Sequence, residues 1–176
     1  MSETPVLRIK CQEKRAFLGS WEHPCRIGLE GFTPEEQGKE GDKKTPLGRY
    51  HLRWGFYRSD KLPKPPLSRT RPLNWLPLHE TDGWSDDTQD KAYNRFIRLP
   101  SKTSHEKLWR NDGAYDLILV LSHNDSPPQS RKGSAVFIHV AQPDDRNTLG
   151  CVAFAPNNFV ALLPRLQQGM RVELCA

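Results

Sequence analysis

The sequence predicts a mainly β protein, a barrel or a sandwich, with one clear helix and long irregular insertions. Short apolar runs of strand length recur along the chain, and they do not alternate with helical segments as a parallel α/β protein requires. The 15 prolines and the hydrophobic content of 36% indicate that much of the chain lies in loops. Residues 1–176 have the length of a single domain that can bury a substantial core.

The N-terminal third supplies the first predicted strands. Residues 6–11 (VLRIKC) alternate apolar and basic side chains, which is the pattern of a half-exposed strand. Residues 15–27 have strand-like composition on either side of an interruption at His23 and Pro24. A glycine-rich, charged loop then leads into residues 49–58 (RYHLRWGFYR), which we predict to be a further strand.

The middle of the chain, about residues 59–114, is predicted to be an irregular insertion. Residues 61–77 hold a run of prolines, and a long loop inside a compact domain is usually functional or disordered. Tryptophans and other aromatic residues in this segment favour an ordered structure. Residues 96–99 predict one short strand within it.

The C-terminal third predicts two buried strands and a last strand. Residues 115–122 (YDLILVLS) and 135–140 (AVFIHV) are continuous apolar runs of strand length. Residues 170–175 close the chain as a strand. These runs are expected to form the centre of the sheet.

One helix is predicted between the second buried strand and the last strand. Asn157 or Asn158 is a suitable N-cap, and Gly169 is a stop signal after a helix that runs to about Gln168. Pro164 lies inside this helix and is expected to bend or shorten it.

Composition and charge exclude several classes of function. The net charge is +5, but 26 basic against 21 acidic residues is a mild excess without a run of five like charges. The sequence has no basic stripe interleaved with aromatic residues, so nucleic acid is not an expected partner. It also has no apolar run of about 18 residues that would span a membrane, and residues 1–17 lack the pattern of a secretory signal.

Four cysteines, Cys11, Cys25, Cys151 and Cys175, are spaced without a CxxC pair, and the histidines are scattered. No zinc site is therefore predicted. Cys11 and Cys175 lie in strand-like runs and are expected to be small buried side chains. A disulfide between two of the three cysteines other than Cys151 stays open at this point.

The sequence GSAVFIHVAQPDDRNTLGCVAF brings a histidine and a cysteine into a suggestive arrangement. His139 ends a predicted strand, and Cys151 follows 12 positions later, directly after Gly150. A glycine beside a cysteine leaves room for backbone N–H groups to hold a carbonyl oxygen, and a nearby imidazole turns a thiol into a thiolate nucleophile. The pattern predicts a cysteine acyltransferase or peptidase. The alternative is a buried cysteine beside a hydrogen-bonded core histidine.

The motifs in combination resemble a known family. The segment GKEGDKKTPLGRYHL, followed about a hundred residues later by FIHV and TLGCVAF, resembles the YkuD-type L,D-transpeptidase catalytic domain. That family carries a TPxGxF-like segment, then a histidine that ends a strand, then an S/T-x-G-C motif. The likeness runs from about Gly38 to the C-terminus.

The resemblance implies a catalytic site and a reaction. It makes Cys151 the nucleophile, His139 the base, and Gly150 with Thr148 the turn that frames an oxyanion hole. It implies exchange of peptide bonds between peptidoglycan stems through a cysteine thioester, without a metal or other cofactor, and acylation by carbapenems. The family orients its base partly through a backbone carbonyl, a role that Val140 can fill.

The sequence departs from the family pattern at three positions. Leu149 stands where the family usually has a histidine, Ala153 where it often has arginine or asparagine, and Val140 where it has glycine or serine. Other polar residues must then hold the substrate, and Arg95 or Arg110 can grip a carboxylate with a bidentate fork. The predicted substrate-binding set is Thr148, Leu149, Val140, Tyr93, Asn94, Arg95, Trp84 and His123. The alternative for the last five is a surface salt bridge or a loop hydrogen bond.

The expected protein is therefore a periplasmic, monomeric L,D-transpeptidase whose partners are the donor and acceptor stem peptides. Short, signal-less family members that join the first residue of one stem to a diaminopimelate, a 1,3 link, resemble this chain more than those that make 3,3 links. Two alternatives stay open. Water can replace the acceptor, which gives a carboxypeptidase, endopeptidase or amidase, or the domain can bind cell wall without catalysis.

Overall fold

The computed structural model describes residues 5–66, 71–144 and 146–176, in which thirteen strands form a ten-stranded and a three-stranded sheet. The strands are β1 (Val6–Lys10), β2 (Arg15–Leu18), β3 (Trp21–Pro24), β4 (Phe32–Pro34), β5 (Thr45–Tyr57), β6 (Trp75–Pro77), β7 (Asp82–Ser85), β8 (Phe96–Arg98), β9 (His105–Lys107), β10 (Leu117–Leu121), β11 (Phe137–Val140), β12 (Val152–Phe154) and β13 (Arg171–Cys175). The mainly β class predicted from the sequence is confirmed.

The large sheet is organised around β5 and nearly closes on itself at β12, the strand that directly follows Cys151. Its order is β12-β11-β10-β5-β13-β1-β2-β3, and β4 and β6 also pair with β5. The chain after β3 forms two isolated bridges, Arg26 with Ala153 and Gly28 with Thr148. These bridges join the two ends of the strand order, so the sheet is nearly closed.

The core has two parts. The larger cluster fills the space under the main sheet and includes Phe159 and Leu162 from the helix. The second cluster joins the small sheet, of order β8-β7-β9, to the main one: Trp84 of β7 packs edge-on against Phe137 of β11 with ring centroids 5.1 Å apart. Buried aromatic pairs of this geometry add to the hydrophobic stabilisation. They place the small sheet beside β11.

The helix α1 (Pro156–Leu162) is shorter than the sequence predicted and is followed by a 3-10 turn at Leu163–Arg165. Pro164 lacks an N–H and ends the α-helical hydrogen bonding, as expected. The predicted asparagine cap is wrong. The N-cap is Ala155, and Pro156 takes the first helical position, where its missing N–H costs nothing.

The insertion is more ordered than its sequence indicated. The predicted strand at 96–99 is present as β8, whereas β6, β7 and β9 were missed. These strands are only three or four residues long, and β7 and β9 also carry polar residues, so no alternation of apolar residues marks them. Residues 67–70 of the proline-rich segment lie outside the described residues. No helix in the described part of the chain is long and apolar enough to cross a bilayer.

Candidate active site

The two predicted catalytic side chains are brought together by the parallel pairing of β11 with β12: His139 is in β11, and Cys151 immediately precedes β12. β11 pairs with β12 in a register that sets His139 opposite Ala153, and Cys151 comes two residues before Ala153. Side chains two positions apart on an extended chain point to the same side. Cys151 and His139 accordingly line the same groove.

The thiol of Cys151 is half-buried and held by backbone groups of the segment that leads into β11. Its Sγ donates a hydrogen bond to the carbonyl of Ala135 at 3.1 Å and accepts one from the N–H of Phe137 at 3.4 Å. In this resting arrangement the thiol proton points at a carbonyl rather than at His139.

The ring of His139 is oriented by its own strand. Its Nδ1 lies 2.9 Å from the carbonyl oxygen of Val140, which can only accept, so Nδ1 carries the proton and Nε2 keeps a free lone pair. Tyr115 packs edge-on against the imidazole with ring centroids 5.3 Å apart. The side chain is therefore set up to act as a base through Nε2.

The turn before the nucleophile requires glycine and leaves a backbone donor free. Gly150 has φ +132°, and a Cβ added there would lie 3.0 Å from the carbonyl oxygen of Lys44. Its N–H donates to the hydroxyl oxygen of Thr148 at 3.2 Å, and this hydroxyl donates to the carbonyl of Cys151 at 2.6 Å. The N–H of Cys151 finds no acceptor among the described residues. It is therefore available as an oxyanion donor.

These groups open into a groove of about 750 Å³. One wall is the loop that precedes β5, and another is the segment around β9 and Tyr115. The loop before β11 and the turn that carries the cysteine complete it. The charged side chains of the lining are Lys39, Glu40, Asp42, Lys43, Lys44, Asp86, Glu106, Lys107, Arg110, Asp112, Lys132 and Arg146. Within the described residues, no group of His, Cys, Asp and Glu has the arrangement of a metal site.

Comparison with known proteins identifies the family. The model of the YkuD L,D-transpeptidase catalytic domain matches residues 14–174. This chain belongs to the YkuD family. The resemblance drawn from the sequence motifs is thereby confirmed, although no curated protein sequence matches the chain.

Solved structures with a similar fold are longer than this YkuD domain. They include L,D-transpeptidase 1 from Mycobacterium tuberculosis, at 13% identity and TM-score 0.47, where the match covers 99% of this chain and 60% of that one. An L,D-transpeptidase from Stackebrandtia nassauensis has 10% identity and TM-score 0.47, with 100% and 57% covered. The helical cell shape determining protein Pgp2 from Campylobacter jejuni has 14% identity and TM-score 0.48, with 97% and 47% covered. This chain thus spans roughly half of their length.

The electrostatics of this YkuD domain keep Cys151 and His139 neutral in the free protein. Burial, and then the carboxylate of Glu106, raise the pKa of Cys151 to about 12, while the N–H of Phe137 acts the other way. Burial lowers the pKa of His139 to about 4, opposed by the Val140 carbonyl and aided by Arg110. The sequence-based expectation of a thiolate generated by the imidazole does not fit the free protein. Proton transfer must instead accompany attack on a substrate.

Trp84 and Asn94, which the sequence suggested as substrate ligands, belong to the framework behind the groove. Both are buried, and the Trp84 indole N–H donates to Asn94 Oδ1 at 2.9 Å. That oxygen also accepts the N–H of Ala135 at 3.0 Å, while Asn94 Nδ2 donates to the carbonyls of His123 and Asn124 at 3.0 and 2.7 Å. Direct contact with a peptide does not fit this burial. Asn94 instead fixes the segment whose carbonyl holds the Cys151 thiol.

Tyr93 and Arg95 also lie off the groove. Tyr93 is buried, its hydroxyl donates to Glu40 at 2.6 Å, and it accepts the N–H of Gly133 at 3.1 Å. It thereby supports two residues that do line the groove. Arg95 is exposed and is not part of the lining, so the structure does not bring it to the nucleophile.

Three of the four remaining predicted substrate residues line the groove, whereas Val140 does not. Leu149 is 75% exposed at its rim, beside the nucleophile, and Thr148 is buried under the turn that it stabilises. His123 lines the wall but is 3% exposed, and neither of its ring nitrogens makes a hydrogen bond to a described residue. Its Nδ1 lies 3.3 Å from Glu35 Oε1. Of these residues, Leu149 is the one that a peptide can touch freely.

Glu106 and Tyr115 are groove residues that the sequence did not reveal. The Tyr115 hydroxyl donates to Glu106 at 2.5 Å, directly beside the ring of His139. Tyr115 begins an apolar run and therefore looks like a core residue, and Glu106 lies in a short polar stretch without a pattern. No sequence signal indicated either.

Replacing His139 by glutamine is expected to lower turnover by about a hundredfold or more, the usual effect of losing a general base. The amide can still donate toward the Val140 carbonyl, but it cannot take the thiol proton. Initial rates and thermal unfolding of the purified variant check this. A variant that is mainly unfolded would instead favour a structural histidine, and unchanged turnover would contradict the role of base.

Proposed function

We propose that this YkuD domain is an L,D-transpeptidase that cross-links peptidoglycan stem peptides through a thioester on Cys151. One observation carries the proposal: in a chain of this family, the thiol immediately before β12 and an imidazole on the paired strand β11, oriented through its Nδ1, line one open groove. Site residues, partners and a periplasmic site of action are part of the same proposal.

In the first half-reaction, Cys151 Sγ attacks a carbonyl carbon of the donor stem while His139 Nε2 takes the thiol proton. The carbonyl oxygen becomes an oxyanion, and the free N–H of Cys151 donates to it. The C–N bond then breaks, His139 returns the proton to the departing amine, and the acyl group remains on sulfur as a thioester.

In the second half-reaction, an amine of the acceptor stem attacks the thioester carbonyl. A C–N bond forms, the C–S bond breaks, and a proton from the attacking nitrogen reaches the cysteine sulfur through His139. The product is a cross-linked dimer, and the enzyme returns to its resting state with a neutral thiol.

The walls next to the nucleophile support a 1,3 rather than a 3,3 link. Leu149 presents an exposed apolar side chain beside Cys151, and Ala153 is a small buried residue, at positions where the family has polar residues. An apolar surface favours a small, uncharged donor residue over the charged side chain of diaminopimelate. We therefore propose that the first residue of a donor stem is joined to diaminopimelate of the acceptor.

Product analysis of purified muropeptides tests the proposal. Incubation with disaccharide stem peptides should produce dimers whose linkage mass spectrometry assigns, and a carbapenem should form an adduct on Cys151. Trimmed monomers without dimers would show that water is the acceptor. Binding to cell wall without any product would identify a noncatalytic module.

A further inference from the structure

Glu106 stands in the groove beside the nucleophile, and the mechanism above leaves it without a role. It lies in the middle of β9, and its side chain is 30% exposed into the groove. One carboxylate oxygen, Oε1, accepts the Tyr115 hydroxyl at 2.5 Å and lies 3.9 Å from Nη1 of Arg110. The ring of Tyr115 in turn contacts His139. The carboxylate is therefore held in a fixed position next to the reacting groups.

Charged side chains from several neighbouring segments act on the pKa of Glu106. Asp86 and Glu40 face it with like charge and add to the burial that raises its pKa, whereas the Tyr115 hydroxyl and Arg110 oppose this rise. Arg110 is shared, because its guanidinium also binds Asp112 with Nε and Nη2 at 3.2 and 2.5 Å.

A carboxylate oxygen of Asp86, Oδ1, is buried without a hydrogen-bond partner among the described residues. Asp86 and Glu106 both line the groove, with Arg110 shared between Glu106 and Asp112. This wall therefore suits an additional hydrogen-bond donor that carries positive charge.

The negative charge of Glu106 disfavours the thiolate before the thioester forms, but it does not disfavour the thioester itself. This charge raises the pKa of the Cys151 thiol and so opposes formation of a thiolate. In the thioester the sulfur carries no charge, and the repulsion disappears. Glu106 is therefore better suited to the second half-reaction than to the first.

We propose that Glu106 binds the ammonium group of the acyl acceptor and accepts a proton from it. This inference rests on the proposed function and names the group that favours an amine over water. A carboxylate attracts a primary ammonium strongly by a charge-assisted hydrogen bond, and it has no comparable preference for water.

The proton balance of the step is complete. The R–NH3+ group of the acceptor gives one proton to the Glu106 carboxylate and becomes R–NH2, which can attack. The nitrogen then forms a bond to the thioester carbon, and its second proton passes through His139 to the cysteine sulfur as the C–S bond breaks. Glu106 releases its proton to solvent before the next acceptor binds.

The variant Glu106→Gln tests the proposal on the full chain, with a purified disaccharide tetrapeptide as donor and acceptor. The glutamine oxygen can still accept the Tyr115 hydroxyl. Dimer formation is expected to fall by about tenfold or more, the usual effect of losing a hydrogen bond to a charged group, with a raised KM for the acceptor. Carbapenem acylation should not fall, because the charge that opposes the thiolate is removed, and hydrolysis of the thioester should stay within about twofold of wild type.

Glu22→Gln is the matched control, because it removes the same charge from an exposed ion pair with Arg15, and neither residue lines the groove. It should leave the ratio of dimers to hydrolysed monomers unchanged. Tyr115→Phe is a second variant that keeps the ring on His139 but releases Glu106, and it should shift the same ratio in the same direction. If Glu106→Gln does not fold, Tyr115→Phe tests the proposal in its place.

A further readout does not depend on the acceptor. Alkylation of Cys151 by iodoacetamide should begin at lower pH in Glu106→Gln than in wild type, because the charge that raises the thiol pKa is gone. Equal losses of acylation and dimer formation, or an unchanged ratio of dimers to hydrolysed monomers, would overturn the inference. If the wild-type protein forms no acyl-enzyme, the proposed function itself fails and this inference with it.

Discussion

Cys151→Ser is expected to abolish both acyl-enzyme formation and dimer production, with a melting temperature close to that of the wild type. The serine hydroxyl can still donate to the Ala135 carbonyl and accept the Phe137 N–H, so the two hydrogen bonds of the thiol are retained. A hydroxyl is a far weaker nucleophile than a thiol beside a neutral imidazole. Mass spectrometry after carbapenem treatment and analysis of muropeptide products measure the two activities.

The remaining cysteines provide the control for this experiment. Cys175→Ser changes a thiol near the C-terminus whose hydrogen bond runs to the Ile9 carbonyl at 3.6 Å, and it should leave turnover unchanged. Cys151→Ala should be equally inactive but slightly less stable, because the Phe137 N–H loses its acceptor. Full turnover in either Cys151 variant would rule out this residue as the nucleophile.

Asn94→Ala is expected to reduce the free energy of unfolding by about 3–5 kcal/mol, which is large for one substitution. The side chain makes four hydrogen bonds in a buried place, and its removal leaves two donors and two acceptors without partners. Asn94 also has φ +55°, a conformation that asparagine tolerates better than alanine does. Urea denaturation measures the loss.

The same substitution should impair activity in the protein that remains folded, because the Ala135 segment positions the thiol. Asn157→Ala is the matched control: Asn157 is exposed on α1, and its loss should change stability by no more than about 0.5 kcal/mol. A loss below about 1 kcal/mol for Asn94→Ala would show that these hydrogen bonds are readily replaced by water.

The features that the sequence predicted are those that depend on neighbouring residues. The apolar runs mark β10 and β11, and Gly150 with Cys151 is recognisable because a tight turn next to a nucleophile needs a particular local pair of residues. The role proposed for His139 rests on its place near the end of an apolar run. The family motifs then joined these local signals into one prediction.

The features that the sequence could not show depend on distant contacts. Asn94 acts on Ala135, 41 positions away, from a polar segment with no periodicity. Tyr115 reads as the start of a buried strand, and nothing near Glu106 indicates that the small sheet carries it to the thiol. Burial also keeps both Cys151 and His139 neutral, whereas the sequence led us to expect a thiolate. The apolar atoms that surround a site are known only once the chain has folded.

The bridges that close the large sheet bring residues from the beginning of the chain next to the candidate site. The turn that carries the cysteine takes hydrogen-bond partners from Ile27, Leu29 and Thr45, more than 100 positions upstream. A shortened protein that lacks the segment through Gly28 would retain every letter of the TLGC motif and lose the scaffold that shapes it. The TLGC motif is therefore contiguous in the sequence, but the candidate site is assembled from both halves of the chain.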